Sequence, residues 1–211
     1  MLGDALRERF ERQLGLEVTG MKAVCVFCGS NVGRNPAYVE AATSVGTALA
    51  RAGLKLVYGG GKVGLMGAVA DAVISAGGQA EGVMPRALVE REIAHAGLAK
   101  LHVVETMHQR KMMMADLADA FVALPGGAGT LEEFFEQWTW ALLGIHGKPC
   151  GLLNVADYFA PLIAMMQNIV AEGFIAERYV EMLAIETEIE PMLRRFAKYT
   201  PPPQKWQVPK P

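Results

Sequence analysis

The chain has 211 residues, of which 52% are hydrophobic and 20% charged, with a formal net charge of -2. That length suits one sizeable domain around a single core, and the near-neutral charge gives no electrostatic pull toward nucleic acid or an anionic membrane. Any anionic ligand must therefore be held by local groups.

Residues 1–20 place Leu6, Phe10 and Leu14 at i, i+4 and i+8 among charged residues. This spacing predicts an amphipathic helix, and no apolar stretch follows the basic residues as it would in a signal peptide. No apolar run reaches the roughly 18 to 20 residues that a membrane span needs, so the cytoplasm is the expected compartment. Further along, short runs rich in Val, Leu and Ile predict strands at 22–28, 54–59, 80–85, 101–106, 120–125, 149–155 and 183–188. Several are almost continuously apolar, as strands covered on both faces are. Helical patterns fall between them at 36–52, 65–76, 108–118, 130–143 and 158–172. The alternation predicts an α/β fold with a Rossmann-like, doubly wound, mostly parallel sheet flanked by helices, in one domain over 21–199. Residues 200–211, with prolines at 201, 202, 203, 209 and 211 and no periodicity, read as an extended, disordered tail.

Three cysteines, Cys25, Cys28 and Cys150, cannot all pair with one another and suit a reducing compartment. Cys25 and Cys28 form a C-x-x-C, but on a strand residues three apart point to opposite faces. No metal or redox site is expected there.

Ligands of doubly wound sheets bind beyond the carboxyl ends of the strands, and there the sequence is rich in glycine: CGSNVG, YGGGKVGLMG and LPGGAGTLEE. Three such loops on one edge suggest a composite site. Gly59, Gly61 and Gly64 have dinucleotide-binding spacing, yet the acid at a suitable distance, Glu81, opens its strand instead of closing it. Tight packing explains these glycines at least as well.

In LPGGAGTLEE, Pro125 ends a strand and Gly126, Gly127 and Gly129 let the backbone turn. Thr130 is placed as the helix N-cap, so free N–H groups could cradle a phosphate. Thr130 and Glu133 also match a capping box, which would give both side chains a purely local task. Leu131, Phe134, Phe135, Trp138 and Leu142 predict the buried stripe of this helix, leaving Glu133, Glu136, Gln137 and Trp140 on another arc. A carboxylate at a helix N-terminus should have a lowered pKa, so Glu133 is expected to be ionised. Upstream, His108, Arg110 and Lys111 cluster after the fourth predicted strand, where cations are not favoured by the helix dipole and so invite a functional reason. Met112, Met113 and Met114 are expected in the core.

MHQRK followed by LPGGAGTLEE, with Arg110 fifteen residues before Pro125, closely resembles the Lonely Guy family of cytokinin-activating phosphoribohydrolases. The resemblance runs from AVCVFCGS through YGGGKVGLMG to WALLGIHGKPCGLLNV and EGFI. Members of that family have often been labelled lysine decarboxylases, but no pyridoxal-phosphate signature stands out here. The resemblance implies hydrolysis of the N-glycosidic bond of an N6-substituted adenosine 5'-monophosphate, or of AMP itself, to free base and ribose 5-phosphate. It implies no cofactor and no metal, a nucleotide monophosphate as the small-molecule partner, and a homodimer. Arg110 and Glu133 are then the catalytic pair. Substrate contacts fall on Glu92, Arg110, Lys111, Gly127, Ala128, Gly129, Thr130, Leu131, Glu132, Glu133 and Thr139. The same fold could also serve a nucleotide carrier or sensor without turnover, but a pure binder has no need of a carboxylate beside its phosphate.

Overall fold

A computed structural model describes residues 20–90 and 94–203. The predicted helix over 1–20, Glu92 and the tail from residue 204 lie outside the described residues, Gly20 apart. In chain order the elements are β1 (Ala23–Phe27), α1 (Ala37–Arg51), β2 (Lys55–Tyr58), α2 (Gly64–Ser75), β3 (Ala80–Pro85), β4 (Lys100–Val104), α3 (Met107–Leu117), β5 (Ala120–Ala123), α4 (Ala128–Leu143), β6 (Cys150–Leu153), α5 (Ala160–Ala171), β7 (Ala184–Glu186) and α6 (Ile189–Ala197). Single-turn helices span Arg86–Val89 and Arg178–Glu181, and a 3-10 turn spans Val155–Asp157.

The strands form one sheet in the order β4-β3-β2-β1-β5-β6-β7, with every neighbouring pair parallel. The strand order reverses at β1, with β2 on one side and β5 on the other. The crevice beyond the carboxyl ends of β1 and β5 is therefore the topological switch point where such sheets bind ligands. Each predicted strand overlaps an observed one. β1 shows why its run is continuously apolar: Val24 and Val26 pack into the core under α1, α2 and α6, while Ala23, Cys25 and Phe27 pack into the core under α3, α4 and α5. Cys25 and Cys28 fall into different cores, as a strand requires, and burial pushes both thiols up, away from the reactive thiolate.

Helix α6 has no counterpart among the predicted elements. Its signal is present, because Ile189, Met192, Leu193 and Phe196 recur at i, i+3, i+4 and i+7 and are all buried. Pro191 in the first turn hides it, although a proline is tolerated there. Helix α4 begins at Ala128, two residues before the predicted start, with Gly127 as its N-cap. Thr130 is consequently inside the helix and 4% exposed, so it is not the N-cap and closes no capping box with Glu133. The buried stripe is correspondingly turned: Thr130, Phe134, Gln137, Trp138 and Ala141 are buried, whereas Leu131 and Phe135 only flank the core. Gln137 thus leaves the polar arc predicted for it. Of the three methionines after Lys111 only Met114 is fully buried, and Met112 is 50% exposed. The start of the tail is docked, with the Tyr179 hydroxyl donating to the Pro203 carbonyl at 3.4 Å.

Candidate active site

The three glycine-rich loops meet at the switch point. Gly29 N–H donates to the Pro125 carbonyl at 3.1 Å, and Leu65 N–H donates to the Gly29 carbonyl at 3.0 Å. Two glycines make this approach possible. A methyl on Gly126 would run into Thr130 Oγ1, and one on Gly64, which also has φ +61°, would run into the Ser30 backbone. Gly127 and Gly129 differ, because a methyl on either would meet nothing. They line open space at the start of α4, where the N–H groups of Ala128, Gly129 and Thr130 have no intrahelical acceptor.

A capping box starts α3: the Thr106 hydroxyl accepts from Gln109 N–H at 3.2 Å, and the Gln109 amide oxygen accepts from Thr106 N–H at 3.2 Å. This fixes the first turn, and Arg110 follows directly. Arg110 Nε donates to the Val83 carbonyl at 3.1 Å. Leu56 N–H donates to the Gln79 carbonyl, so the alternate carbonyls Gln79, Glu81 and Val83 all face β2. Since β2 ends at Tyr58, Val83 lacks the next strand partner and the guanidinium takes its place. Gly59 leaves room for this, because a methyl there would collide with Arg110 Nη2.

The other arm of the fork reaches α4. Arg110 Nη1 stands 3.0 Å from Glu133 Oε1, and each side chain is 12% exposed. Burial raises the Glu133 pKa, and the Arg110 charge opposes that rise without cancelling it. The lowered pKa expected from the helix N-terminus is overturned: Glu133 stands six residues past the N-cap, where the dipole has faded, and desolvation outweighs both. Lys111 pairs with Glu132 and, at 3.0 Å, with Glu136. Glu132 and Glu136 thus tie α4 to α3 through Lys111, whose pKa they raise.

The remaining expected residues scatter. Leu131 is half-buried against the core, Ala128 is exposed at the first turn, and Thr139 is exposed one turn beyond Glu136. His108 is exposed and holds no partner in the site. Glu81 stands at the amino end of β3, where it accepts from Lys55 at 2.9 Å and pairs with His102 at 2.8 Å. It cannot reach a ligand on the carboxyl edge, which removes the dinucleotide reading of Gly59, Gly61 and Gly64. Tyr158, which belongs to none of the sequence motifs, reaches the same loop: its hydroxyl donates to the Gly126 carbonyl at 2.5 Å. Its signal is slight, one of two adjacent aromatics, Tyr158 and Phe159, after the sixth strand.

Gly59→Ala tests the fit around Arg110. The obstructed atom is the end of a flexible side chain, so the fold should tolerate the methyl while the guanidinium moves. Turnover of the substrate proposed below should fall by about 10- to 100-fold, in line with the cost of a displacement of ångström size, with a thermal midpoint close to the parent's. Unchanged turnover would show that Arg110 needs no such fit.

A doubly wound parallel sheet with glycine loops and a buried Arg–Glu pair at its switch point places the chain in the Rossmann-like class, whose ligands bind beyond the carboxyl edge. The family model described as "Possible lysine decarboxylase" matches residues 66–196, which contain both Arg110 and Glu133. The cytokinin riboside 5'-monophosphate phosphoribohydrolase of Rhodococcoides fascians is 49% identical over 80% of this chain and 86% of its own. That named LOG7 in Arabidopsis thaliana is 47% identical over 85% and 83%. The chain belongs to this Lonely Guy family. A molybdenum cofactor binding protein of Rippkaea orientalis shares the fold, with a TM-score of 0.63 and 20% identity over 83% of this chain and 94% of that one.

Proposed function

We propose that the protein hydrolyses the C1'–N9 bond of N6-substituted adenosine 5'-monophosphates, releasing the free base and ribose 5-phosphate, a reading supported by relatives named cytokinin riboside 5'-monophosphate phosphoribohydrolases. The observation that carries the mechanism is the buried Arg110–Glu133 pair at the switch point. Free N–H groups of Ala128, Gly129 and Thr130 suit a 5'-phosphate. Glu133, six residues past the N-cap, lies about 9 Å further along the axis at 1.5 Å per residue. A phosphate at the helix start therefore need not confront the carboxylate, and the sugar can extend from one toward the other.

Bond cleavage builds positive charge on the ribose ring, as in other glycosidic hydrolyses. In this reading ionised Glu133 stabilises that charge and orients the attacking water, while Arg110 holds the carboxylate and offsets charge on the departing purine. Lys111 is already matched by two carboxylates, so we assign it chiefly to holding α3 against α4. Glu92, Gly127, Leu131, Glu132 and Thr139 complete the substrate contacts. No cofactor is called for. The protein works as a cytoplasmic homodimer in this reading, and Met107 and Met112, 46% and 50% exposed on α3, are apolar side chains such a contact would cover. Among the described residues no helix is long and apolar enough to cross a membrane.

Turnover separates the enzyme from a carrier. Incubated with an excess of N6-isopentenyladenosine monophosphate, the protein should release many equivalents of base; return of the nucleotide intact would identify a carrier. The pH profile tests the state of Glu133. Because its pKa is raised, a reaction that needs the carboxylate should lose kcat/KM as pH falls, with the acid limb above the ordinary Glu value of about 4.3. A limb of opposite sign at that pKa, activity falling as pH rises, would make Glu133 an acid instead.

A further inference from the structure

The peptide between Gly126 and Gly127 joins two residues without side chains, so no side chain of its own fixes its orientation. Its orientation matters for a phosphate at the start of α4. In a trans peptide the Gly126 carbonyl and the Gly127 N–H point in opposite directions, and a flip would swap a donor for a negative carbonyl oxygen. Tyr158 holds this peptide: its hydroxyl donates to the Gly126 carbonyl at 2.5 Å.

Tyr158 is itself held at some cost. The two residues before it, Ala156 (φ 48°, ψ 40°) and Asp157 (φ 57°), are both non-glycine residues in the left-handed region. Such conformations persist only where the surroundings over-determine them, and they gather at functional sites. The surroundings here are specific. Asn154, 9% exposed, accepts from Phe159 N–H at 2.7 Å and donates to Asp157 Oδ1 at 3.2 Å, clamping both ends of the turn. The Tyr158 ring meets Tyr38 edge-on at 5.6 Å between centroids. Together with Ser30, Asn31, Gly33 and Gly127, these two rings line a cavity of about 190 Å³ at the loop.

We infer that Tyr158 is a positioning residue for phosphate recognition: by holding the Gly126 carbonyl, it keeps the Gly126–Gly127 peptide turned so that the loop offers N–H groups and no carbonyl to the 5'-phosphate. This deepens the function proposed above and rests on its placement of the phosphate at α4. A hydroxyl acting this way matters for a nucleotide and not for the matching nucleoside.

Binding of AMP and of adenosine is to be measured by calorimetry in Glu133→Gln protein, where the ligands stay intact, with and without Tyr158→Phe. Loss of the hydroxyl should weaken AMP by about tenfold, the order expected for one hydrogen bond acting on a charged ligand, and leave adenosine unchanged. Unchanged AMP affinity, equal weakening of both ligands, or AMP binding no tighter than adenosine when Tyr158 is present would each overturn the inference. Base release by the wild-type protein is read separately. Its absence, alongside selective weakening of AMP, would remove the hydrolase and leave the role of Tyr158 standing.

Discussion

Replacing Glu133 by Gln should lower kcat by about 10²- to 10⁴-fold, the range of a positioned acid–base or charge-stabilising group, while leaving nucleotide binding measurable. The amide keeps an oxygen facing Arg110 and changes the shape very little, so what is lost is the negative charge. Stability should move the other way. A carboxylate whose folded pKa is raised binds its proton more tightly in the native state than in the unfolded one. Its favourable contribution is complete below the unfolded pKa and is lost as pH rises through the folded pKa. At pH 8 the wild-type protein carries the buried charge at a cost that glutamine does not have, so the thermal midpoint of the variant should match or exceed the parent's. Activity traded against stability is the pattern of a functional charge. A variant that lost both together would instead point to a structural role for Glu133.

Arg110 carries the second large effect. Its guanidinium spans two elements, with Nε on the Val83 carbonyl and Nη1 on Glu133. Arg110→Ala should cost about 10²- to 10³-fold in kcat, comparable to removing a preorganised electrostatic group. Arg110→Lys keeps the charge but has no fork, and one ammonium cannot reproduce the geometry of both contacts. It should fall between the parent and the alanine variant. The alanine variant also makes a claim about pH. Arg110 is the main influence lowering the Glu133 pKa against burial, so its loss should move the acid limb of the residual activity to higher pH. A limb that stays in place would mean that the two side chains are not electrostatically coupled during the reaction.

The central strands were legible because they are covered on both faces, which turns them into nearly unbroken apolar runs. The carboxyl-edge loops were legible for a related reason: where three loops must touch, glycine is needed, as the obstructions at Gly64 and Gly126 show. Capping was read in the wrong place. Thr130 and Glu133 match a box in sequence, but the glycine turn admits the helix two residues early, and the box that forms is Thr106 with Gln109. Both segments carry the same pattern, and the packing of Gly126 against Thr130 decides between them. The sign of the Glu133 shift was illegible for a different reason. Sequence locates a carboxylate near a helix start, whereas its burial depends on tertiary packing that sets Arg110 of α3 beside it. Tyr158 was hidden because its value lies in one hydroxyl and a strained turn, and neither leaves a periodic trace.

Product identity is the most direct test of the central claim. Wild-type protein incubated with N6-isopentenyladenosine monophosphate should yield N6-isopentenyladenine and ribose 5-phosphate in equal amounts, resolved by chromatography and mass spectrometry. Isopentenyladenosine with inorganic phosphate, or the unchanged nucleotide, would contradict it.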